Sequence, residues 1–576
     1  MSEEQGSEST VSRSQFIKEE KVAEEKEAPK KVSRREFVKG AAAVAGAGAL
    51  ASCAPAATPT TAPGETAAPA PTCPPAEECP PCGAAWTPPE WDEEADVVVV
   101  GFGGAGAAAA ITAHDAGATV LLLEKAPEEF AGGNTGVAGG DVYARQDVEN
   151  AIAYLTALNG AYEVPAEHIE AWANKIAENL DFMTSMGVED AWWKPWEEFP
   201  ELPGVVGSGS YFVGELQRGF KLFEVYRSNV EKRAIDVWYE APGKELVQHP
   251  ETKEILGVIA EKEGGEVYIK ANKGVVLTLG GYENNPEMLR DYIHVSGIQP
   301  RGTPYNTGDG IKMALKINAD LWHMANQAGL GLVLKTPQPE YMGTGSPPKA
   351  LNCICIGKDN KRFMNENERA RHGKVLRGGD WVNYPTPLPV HAIWDENAML
   401  AAGALGLSLE QRQAAVESGN AMGWNAVREL YDWSPDNEIE IEKRWILEAD
   451  TLANLATHME RDPDEVQETI DRYNAFCTAG EDPDFGREPT QLLPINQPPF
   501  YCMELTPSML NTQGGPRRNK DAQVLDVDLN PIPRLYSAGE FGSMYGNWYN
   551  GGMNLGESMA FGRIAGENAA AQESWA

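Results

Sequence analysis

The sequence predicts an α/β fold with an inserted α+β segment, and three patterns lead to this prediction. A β-branched run at residues 97–100 leads into a glycine-rich turn and an alanine-rich stretch. A second apolar run at residues 121–123 follows and ends in an acid. Between about residues 320 and 495 the composition shifts toward charged segments with helical periodicity, and glycine-rich blocks then resume.

The first ninety or so residues lie outside this fold, because a charged leader, an apolar run and a stretch rich in Pro, Thr and Ala cannot bury a core. Residues 33–39 resemble a twin-arginine export signal, and residues 50–53 resemble a bacterial lipobox. We therefore expect a signal peptide over residues 1–53, a lipidated Cys53 and an extended tether over residues 54–92. The expected location is extracytoplasmic and membrane-anchored, and a soluble secreted protein is the alternative.

Composition limits the partners of the chain. A net charge of −37 and a pI near 4.6 argue against nucleic acid, because phosphate binding needs a basic surface. Cys73, Cys79 and Cys82 lie in the tether, and the spacing of Cys79 and Cys82 suits a disulfide or a share in a metal site, but no second pair has zinc spacing. The sequence contains no CxxCH motif and no ferredoxin-type quartet, so electrons are expected from an external donor or acceptor.

A dinucleotide fingerprint begins the folded part of the chain. Gly101, Gly103 and Gly106 follow the first apolar run in GxGxxG spacing. In a βαβ unit these glycines permit the turn, the approach of a pyrophosphate and the packing of helix on strand, while the helix N-terminus favours the anion. Glu124, after the second apolar run, is expected to hold a ribose hydroxyl. Strand, turn, helix, strand and acid all occur in order, which predicts a Rossmann-like domain.

A second glycine cluster, at residues 131–140, lets the backbone run close to a large planar ligand. It resembles the segment of fumarate reductase and succinate dehydrogenase flavoproteins that passes along the flavin ring. Membrane-bound members of that family carry a histidine here that bonds covalently to FAD, and the matching residue is Asn134. The resemblance therefore implies FAD that is bound non-covalently.

Further blocks match the same family in order and extend the resemblance over about residues 93–576: 274–284, 306–311, 362–366, 512–515, 535–540, 551–556 and 561–563. It implies an FAD-binding domain over residues 93–319 and 496–576, with an inserted capping domain over residues 320–495. A helix near Leu555 is expected to direct its positive end at the flavin, and Glu540 to bind a ribityl hydroxyl. The residues implied to bind FAD are Gly101, Gly103, Gly104, Ala105, Gly106, Glu124, Lys125, Gly133, Asn134, Thr135, Gly139, Gly140, Gly280, Asp309, Gly539, Glu540, Asn554 and Leu555.

The substrate side departs from the fumarate reductases. Asn511 stands at or next to their histidine position and Tyr549 at their arginine position, which makes fumarate itself an unlikely substrate. The tyrosine resembles the 3-ketosteroid dehydrogenase branch, where a hydroxyl and a backbone N–H polarise a ketone oxygen. The residues expected at the substrate are Asn511, Thr512, Arg517, Tyr549, Gly551 and Gly552. Aromatic residues at 192–196, Tyr545 and Trp548 either supply apolar surface for a ring or pack in the core.

Of the predicted site residues, the one that transfers the proton is the least well defined by the sequence. In the fumarate reductase branch an arginine shortly after the block at 362–366 delivers the proton, but the strict register falls on Ala370. Arg371 and the adjacent His372 are the candidates, with Arg369 on the other side of Ala370. Solvated surface charge is the alternative for these side chains.

The combined hypothesis is an exported, FAD-dependent oxidoreductase that acts on a C–C bond conjugated to a carbonyl, by hydride transfer at flavin N5. Reduction is expected rather than desaturation, because exported members of the family commonly serve as terminal reductases. The expected partners are a small unsaturated carbonyl substrate and a cytochrome or quinone-linked protein. The alternative is a flavin-carrying lipoprotein for electron transfer or binding, without substrate chemistry of its own.

Overall fold

The computed structural model describes residues 89–214, 219–336, 353–368, 371–378, 380–383, 386–418, 422–427 and 431–575. The predicted signal peptide, Cys53, the tether up to residue 88 with its three cysteines, and Arg369 lie outside the described residues. Within the described part of the chain, none of the helices combines the length and apolar character needed to cross a membrane.

The strands are β1 (Glu93–Val100), β2 (Val120–Leu123), β3 (Val142–Tyr143), β4 (Trp192–Pro195), β5 (Gly209–Phe212), β6 (Asp236–Trp238), β7 (Gly243–Gln248), β8 (Ile255–Lys262), β9 (Gly265–Leu277), β10 (Gln299–Pro300), β11 (Leu321–Trp322), β12 (Gln327–Leu334), β13 (Ile354–Ile356), β14 (Lys374–Arg377), β15 (Asp380–Asn383), β16 (Val390–Asp395), β17 (Leu447–Ala449), β18 (Phe500–Thr512), β19 (Gly515–Pro516), β20 (Gln523–Leu525) and β21 (Pro531–Ser537). The α-helices are α1 (Gly104–Asp115), α2 (Val148–Asn159), α3 (Ala166–Ala177), α4 (Asn179–Ser185), α5 (Gly219–Lys232), α6 (Pro286–Met288), α7 (Asp309–Lys316), α8 (Glu396–Ala402), α9 (Leu409–Ser418), α10 (Trp424–Val427), α11 (Glu438–Glu442), α12 (Leu452–His458), α13 (Pro463–Ala479) and α14 (Met553–Ala570).

The first sheet confirms the predicted α/β fold. Its central order is β20-β21-β9-β1-β2-β6, and β8 and β7 extend it from β9. β1 pairs in parallel with β2 and with β9, and β21 pairs in parallel with β9. Parallel strands in this order bring their carboxyl ends to one edge, where open α/β sheets bind ligands.

Helices α1 and α14 pack against each other beside this sheet with very close backbone approach. A Cβ at Gly562 would lie 2.6 Å from the carbonyl oxygen of Ala105, and one at Gly566 would lie 2.4 Å from that of Ala109. Because larger side chains would force the helices apart, glycine at these positions fixes where the N-terminus of α1 lies.

A second sheet supplies the predicted cap. β18 lies at its centre and pairs with β10, β12, β16 and β17, while β13 pairs with β16. Helices α12 and α13 bury the predicted apolar positions, namely Leu452, Leu455, Val466, Ile470 and Tyr473. This sheet takes β10 and β18 from outside residues 320–495, so the cap is not a simple contiguous insertion, and the domain boundaries stay a prediction.

Candidate active site

A cavity of about 420 Å³ lies at the carboxyl ends of the parallel strands β1, β2, β9 and β21. The predicted cofactor residues lining it are Gly101, Gly103, Gly104, Ala105, Glu124, Lys125, Gly133, Asn134, Thr135, Gly139, Gly280, Asp309, Gly539, Glu540, Asn554 and Leu555. The other two, Gly106 and Gly140, do not line it. A Cβ at Gly106 would lie 1.9 Å from the carbonyl oxygen of Gly101, so this glycine lets helix and turn approach.

One end of the cavity fits a pyrophosphate and a ribose. Gly103 is the N-cap residue of α1 and has no capping side chain, so the positive end of the helix faces the cavity. The Glu124 carboxylate accepts hydrogen bonds from the backbone N–H groups of Phe102 and Ala126, each at 2.8 Å. Burial raises the pKa of Glu124. Its oxygens keep further acceptor capacity for a hydroxyl donor.

Lys125 and Asp309, which also line the cavity, bind each other. Lys125 Nζ donates to Asp309 Oδ2 at 2.6 Å and to Thr307 Oγ1 at 2.7 Å. The hydrogen bond and charge of Lys125 lower the pKa of Asp309 despite the opposing effect of burial. The two opposite charges therefore cancel, and the pair presents polar atoms without a net charge to the cavity.

Asn134, which lines the cavity, connects two buried acids, of which Glu540 also lines the cavity. Its Nδ2 donates to Glu283 Oε1 and to Glu540 Oε2, both at 2.9 Å, and its Oδ1 accepts from Thr303 N. Burial raises the pKa of both carboxyl groups, and the charge of Glu283 raises that of Glu540 further. An amide in this position offers no imidazole for a covalent bond to the cofactor.

Helix α14 begins at Met553, two residues before the predicted start, with Gly552 as its N-cap residue at a φ of 89°. Among the described residues, the backbone N–H groups of Asn554 and Leu555 have no hydrogen-bond acceptor, and both residues line the cavity. Unpaired donors at a helix N-terminus attract negative charge. This end of the cavity therefore fits the edge of a flavin that becomes electron-rich on reduction.

The turn that precedes α14 contacts a cluster that we call the proton cluster: Asp141, Glu198, His372 and Tyr549. His372 Nε2 lies 2.8 Å from Glu198 Oε2, which also accepts a hydrogen bond from Gly551 N at 2.9 Å. The His372 ring lies 4.3 Å from the Tyr549 ring, centroid to centroid. All four residues line the cavity.

The backbone holds His372 in place. It occupies a turn at a φ of 48°, in the left-handed region that few residues other than glycine adopt. Its carbonyl accepts a hydrogen bond from Gly329 N at 3.0 Å, and Arg371 and Lys374 bridge the turn. His372 Nδ1 is buried without a hydrogen-bond partner among the described residues. This ring nitrogen therefore keeps unused hydrogen-bonding capacity next to the cavity that His372 lines.

Burial sets the charge of the other two members of the cluster. Burial, followed by the charge of Glu198, raises the pKa of Tyr549 well above its ordinary value. Burial also raises the pKa of Asp141 to about 6. Tyr549 is therefore a neutral hydroxyl donor at neutral pH.

Several predicted site residues lie elsewhere. Arg371 pairs with Glu201 at 2.6 Å and stacks on Phe199 and Trp381, so it does not line the cavity. This placement argues against its predicted role in proton transfer. Arg517 pairs with Asp320 at 2.6 Å, and neither it nor Thr512 lines the cavity.

The remaining predicted substrate residues, Asn511, Gly551 and Gly552, do line the cavity. Asn511 Oδ1 accepts from Asn554 Nδ2 at 3.1 Å. Of the predicted aromatic surface, Trp196 lines the cavity, whereas Tyr545 and Trp548 pack in the core. The Gly551 N–H is already bound to Glu198, so it is not the predicted donor to a substrate oxygen.

Sequence reasoning missed Asp141 and Glu198. Asp141 directly follows the second glycine cluster, and Glu198 is the second residue after the aromatic cluster at 192–196. The available signal was that each acid lies close to a segment that the sequence had already assigned to the cavity. Neither has a motif of its own, because only the fold brings them to His372.

The chain is similar to known flavin-dependent enzymes and to a family of FAD-binding domains. The profile of the FAD binding domain family matches residues 96–555. Digoxin reductase of Eggerthella lenta is 27% identical, over 84% of this chain and 89% of the relative. Urocanate reductase of the same organism is 28% identical, over 83% and 75%. A 3-oxosteroid 1-dehydrogenase of Mycolicibacterium smegmatis is 28% identical, over 83% and 98%.

Solved structures share the fold. The 3-ketosteroid delta1-dehydrogenase from Sterolibacterium denitrificans superposes with a TM-score of 0.63 at 21% identity, covering 83% of this chain and all of that one. A flavocytochrome c3 fumarate reductase in an open conformation gives a TM-score of 0.60 at 24% identity, covering 83% and 78%. At these identities the likeness establishes the fold.

Proposed function

This chain belongs to the FAD binding domain family as an FAD-dependent oxidoreductase acting on C–C bonds, and we propose that it reduces an alkene conjugated to a carbonyl. The observation that carries the proposal is the proton cluster, in which the Tyr549 hydroxyl lies beside the paired His372 and Glu198 in the cavity. FAD, when bound, supplies hydride chemistry. The protein supplies a hydroxyl donor and a proton donor on the same face.

Tyr549 is the donor for the carbonyl oxygen. Negative charge develops on that oxygen as an enolate forms, and a neutral hydroxyl in a buried site stabilises it more strongly than water does. The raised pKa of Tyr549 keeps the hydroxyl protonated, and among the described residues its oxygen has no hydrogen-bond partner that would compete. The hydroxyl is therefore available to the substrate.

His372 delivers the proton to the α-carbon. Glu198 accepts from Nε2 and fixes the orientation of the ring, which leaves Nδ1 as the atom that carries the transferred proton. Glu198 is itself held by the N–H of Gly551, in the same turn as Tyr549. Glu198 therefore connects the acid, His372, to the turn that carries the donor, Tyr549.

Fumarate does not suit this arrangement. A dianion needs cations or strong donors around both carboxylates. Tyr549 and Asn511 stand where the fumarate reductases carry arginine and histidine, and Asp141 and Glu198 add negative charge nearby. We infer a substrate that places one conjugated carbonyl at the end of the cavity that carries Tyr549.

Reduction is the proposed direction, in an exported enzyme anchored through Cys53 and supplied with electrons by an external protein. The twin-arginine and lipobox patterns support export, and the names of digoxin reductase and urocanate reductase support reduction. The name of the 3-oxosteroid 1-dehydrogenase describes the opposite direction, the removal of hydrogen from a C–C bond.

The test is anaerobic reoxidation of the reduced, FAD-loaded protein. Flavin absorbance is followed after mixing with an enone, an enoate, a 3-ketosteroid, fumarate or the saturated counterpart of each. Rapid reoxidation by enones or ketosteroids, with slow or no reoxidation by fumarate and the saturated compounds, is expected. Failure of every alkene to reoxidise the flavin would favour the electron carrier and overturn the proposal.

A further inference from the structure

Arg301 lines the same cavity, and nothing in the proposed chemistry uses it. It directly follows β10, and its backbone is fixed on both sides. Its N–H donates to the Met509 carbonyl, and its carbonyl accepts from the N–H of Trp424, both at 2.8 Å. The base of the side chain is therefore fixed at the wall of the cavity.

The guanidinium of Arg301 lacks a carboxylate partner among the described residues. Its hydrogen bond is a long one, from Nη2 to the Met422 carbonyl at 3.3 Å. Burial, followed by the charge of Arg412, lowers the pKa of Arg301. Arg371, Arg517 and Arg518, in contrast, each pair with a carboxylate. A half-buried guanidinium without a carboxylate partner keeps hydrogen-bond donors and a charge that an anion can satisfy.

Arg301 is connected through Met422 to the part of the cavity that holds Asp141. Arg301 Nη2 donates to the Met422 carbonyl. A Cβ at Gly139 would lie 3.6 Å from Met422 Sδ and 3.0 Å from Asp141 Oδ1. Gly139 and Asp141 line the same cavity as Arg301, so this contact relates Arg301 to the side of the cavity that carries the proton cluster.

We propose that Arg301 binds a carboxylate of the substrate, so that the substrate is an unsaturated carbonyl compound bearing a second, anionic group. The inference rests on the proposed function. A guanidinium binds a carboxylate through two parallel hydrogen bonds, which fixes orientation as well as charge. Tyr549 and Arg301 then hold the two ends of one molecule.

The test compares two ligands that differ only in charge. A benzylideneacetone with a para or meta carboxylate on its ring is compared with its methyl ester in single-turnover reoxidation. The wild type is expected to favour the acid, mainly through apparent affinity. Arg301→Gln is expected to lower the apparent affinity for the acid by about 10- to 100-fold and to leave the apparent affinity for the ester within about twofold. Arg371→Gln, outside the cavity, is the matched control and should keep the preference.

Binding is measured separately from turnover. Titration of the oxidised, FAD-loaded protein with the saturated acid, followed by flavin absorbance, should show binding in the wild type that Arg301→Gln weakens. An unchanged acid preference in Arg301→Gln would overturn the inference. The inference would also be overturned if Arg301→Gln retained FAD less well and reacted more slowly with acid and ester by the same factor. Arg301 would then bind a phosphate of the cofactor. If neither compound reoxidises the flavin, the proposed function fails, and the titration alone decides the role of Arg301.

Discussion

Replacing Glu198 with glutamine tests the proton cluster most selectively. Glu198 Oε2 accepts from His372 Nε2 at 2.8 Å and from Gly551 N at 2.9 Å. Glutamine keeps the shape and one acceptor oxygen but removes the charge, so both hydrogen bonds become neutral ones. The hold on the His372 ring and on the turn that carries Tyr549 is then weaker.

The magnitude follows from these two bonds. A hydrogen bond to a charged group contributes about 1.5–3 kcal/mol, against about 0.5–1.5 kcal/mol for a neutral one. The Glu198→Gln change should therefore cost about 1–3 kcal/mol in the transition state, or about 5- to 150-fold in rate. Because the proposal assigns proton transfer to His372 and only its orientation to Glu198, the loss should appear in kcat with little change in KM.

The assay is stopped-flow reoxidation of the reduced protein by a saturating enone across a range of pH. Glu201→Gln is the matched control, because the Glu201 carboxylate lies outside the cavity and pairs with Arg371. Both variants should retain FAD and a normal Tm. A Glu198→Gln rate within about twofold of the wild type would refute the assignment of His372 and Glu198 as the proton donor and its orienting acid.

Two further predictions concern stability. Because the pKa of Asp141 is raised to about 6 from 3.8, the folded state binds more protons between these values and the free energy of unfolding falls as pH rises through that window. Asp141→Asn should therefore raise the free energy of unfolding by up to about 3 kcal/mol at pH 7 and by little below about pH 4. The measurement is the Tm of the variant and of the wild type at both pH values. An equal gain in Tm at both would contradict this. Gly106→Ala places a Cβ 1.9 Å from the Gly101 carbonyl oxygen and should cost about 1–3 kcal/mol or more and lower FAD retention, whereas Gly265→Ala, with its nearest atom at 3.8 Å, should change neither.

Local sequence was sufficient for the cofactor half of the cavity. The turn at Gly101, the acid at Glu124 and the N-terminus of α14 each depend on a strand, turn or helix end formed by neighbouring residues. Spacing along the chain therefore carries the information. The glycine blocks could be placed without knowledge of the tertiary structure.

The substrate half could not be predicted in the same way. Glu198 and His372 are 174 residues apart and meet through tertiary packing. Arg371 and His372 are neighbours in sequence, but the turn sends one side chain to Glu201 and the other into the cavity. Arg301 has no motif, and its lack of a carboxylate partner is visible only once the surrounding residues are in place.

Tyr549→Phe provides the most direct test of the central claim, that this enzyme reduces an alkene by polarising the conjugated carbonyl. The measurement is the single-turnover rate of flavin reoxidation by an enone, with FAD content and Tm checked in both proteins. Loss of the hydroxyl donor should slow the variant by about 10- to 1,000-fold while FAD remains bound. Equal rates in the wild type and the variant would remove Tyr549 from the chemistry and contradict the account.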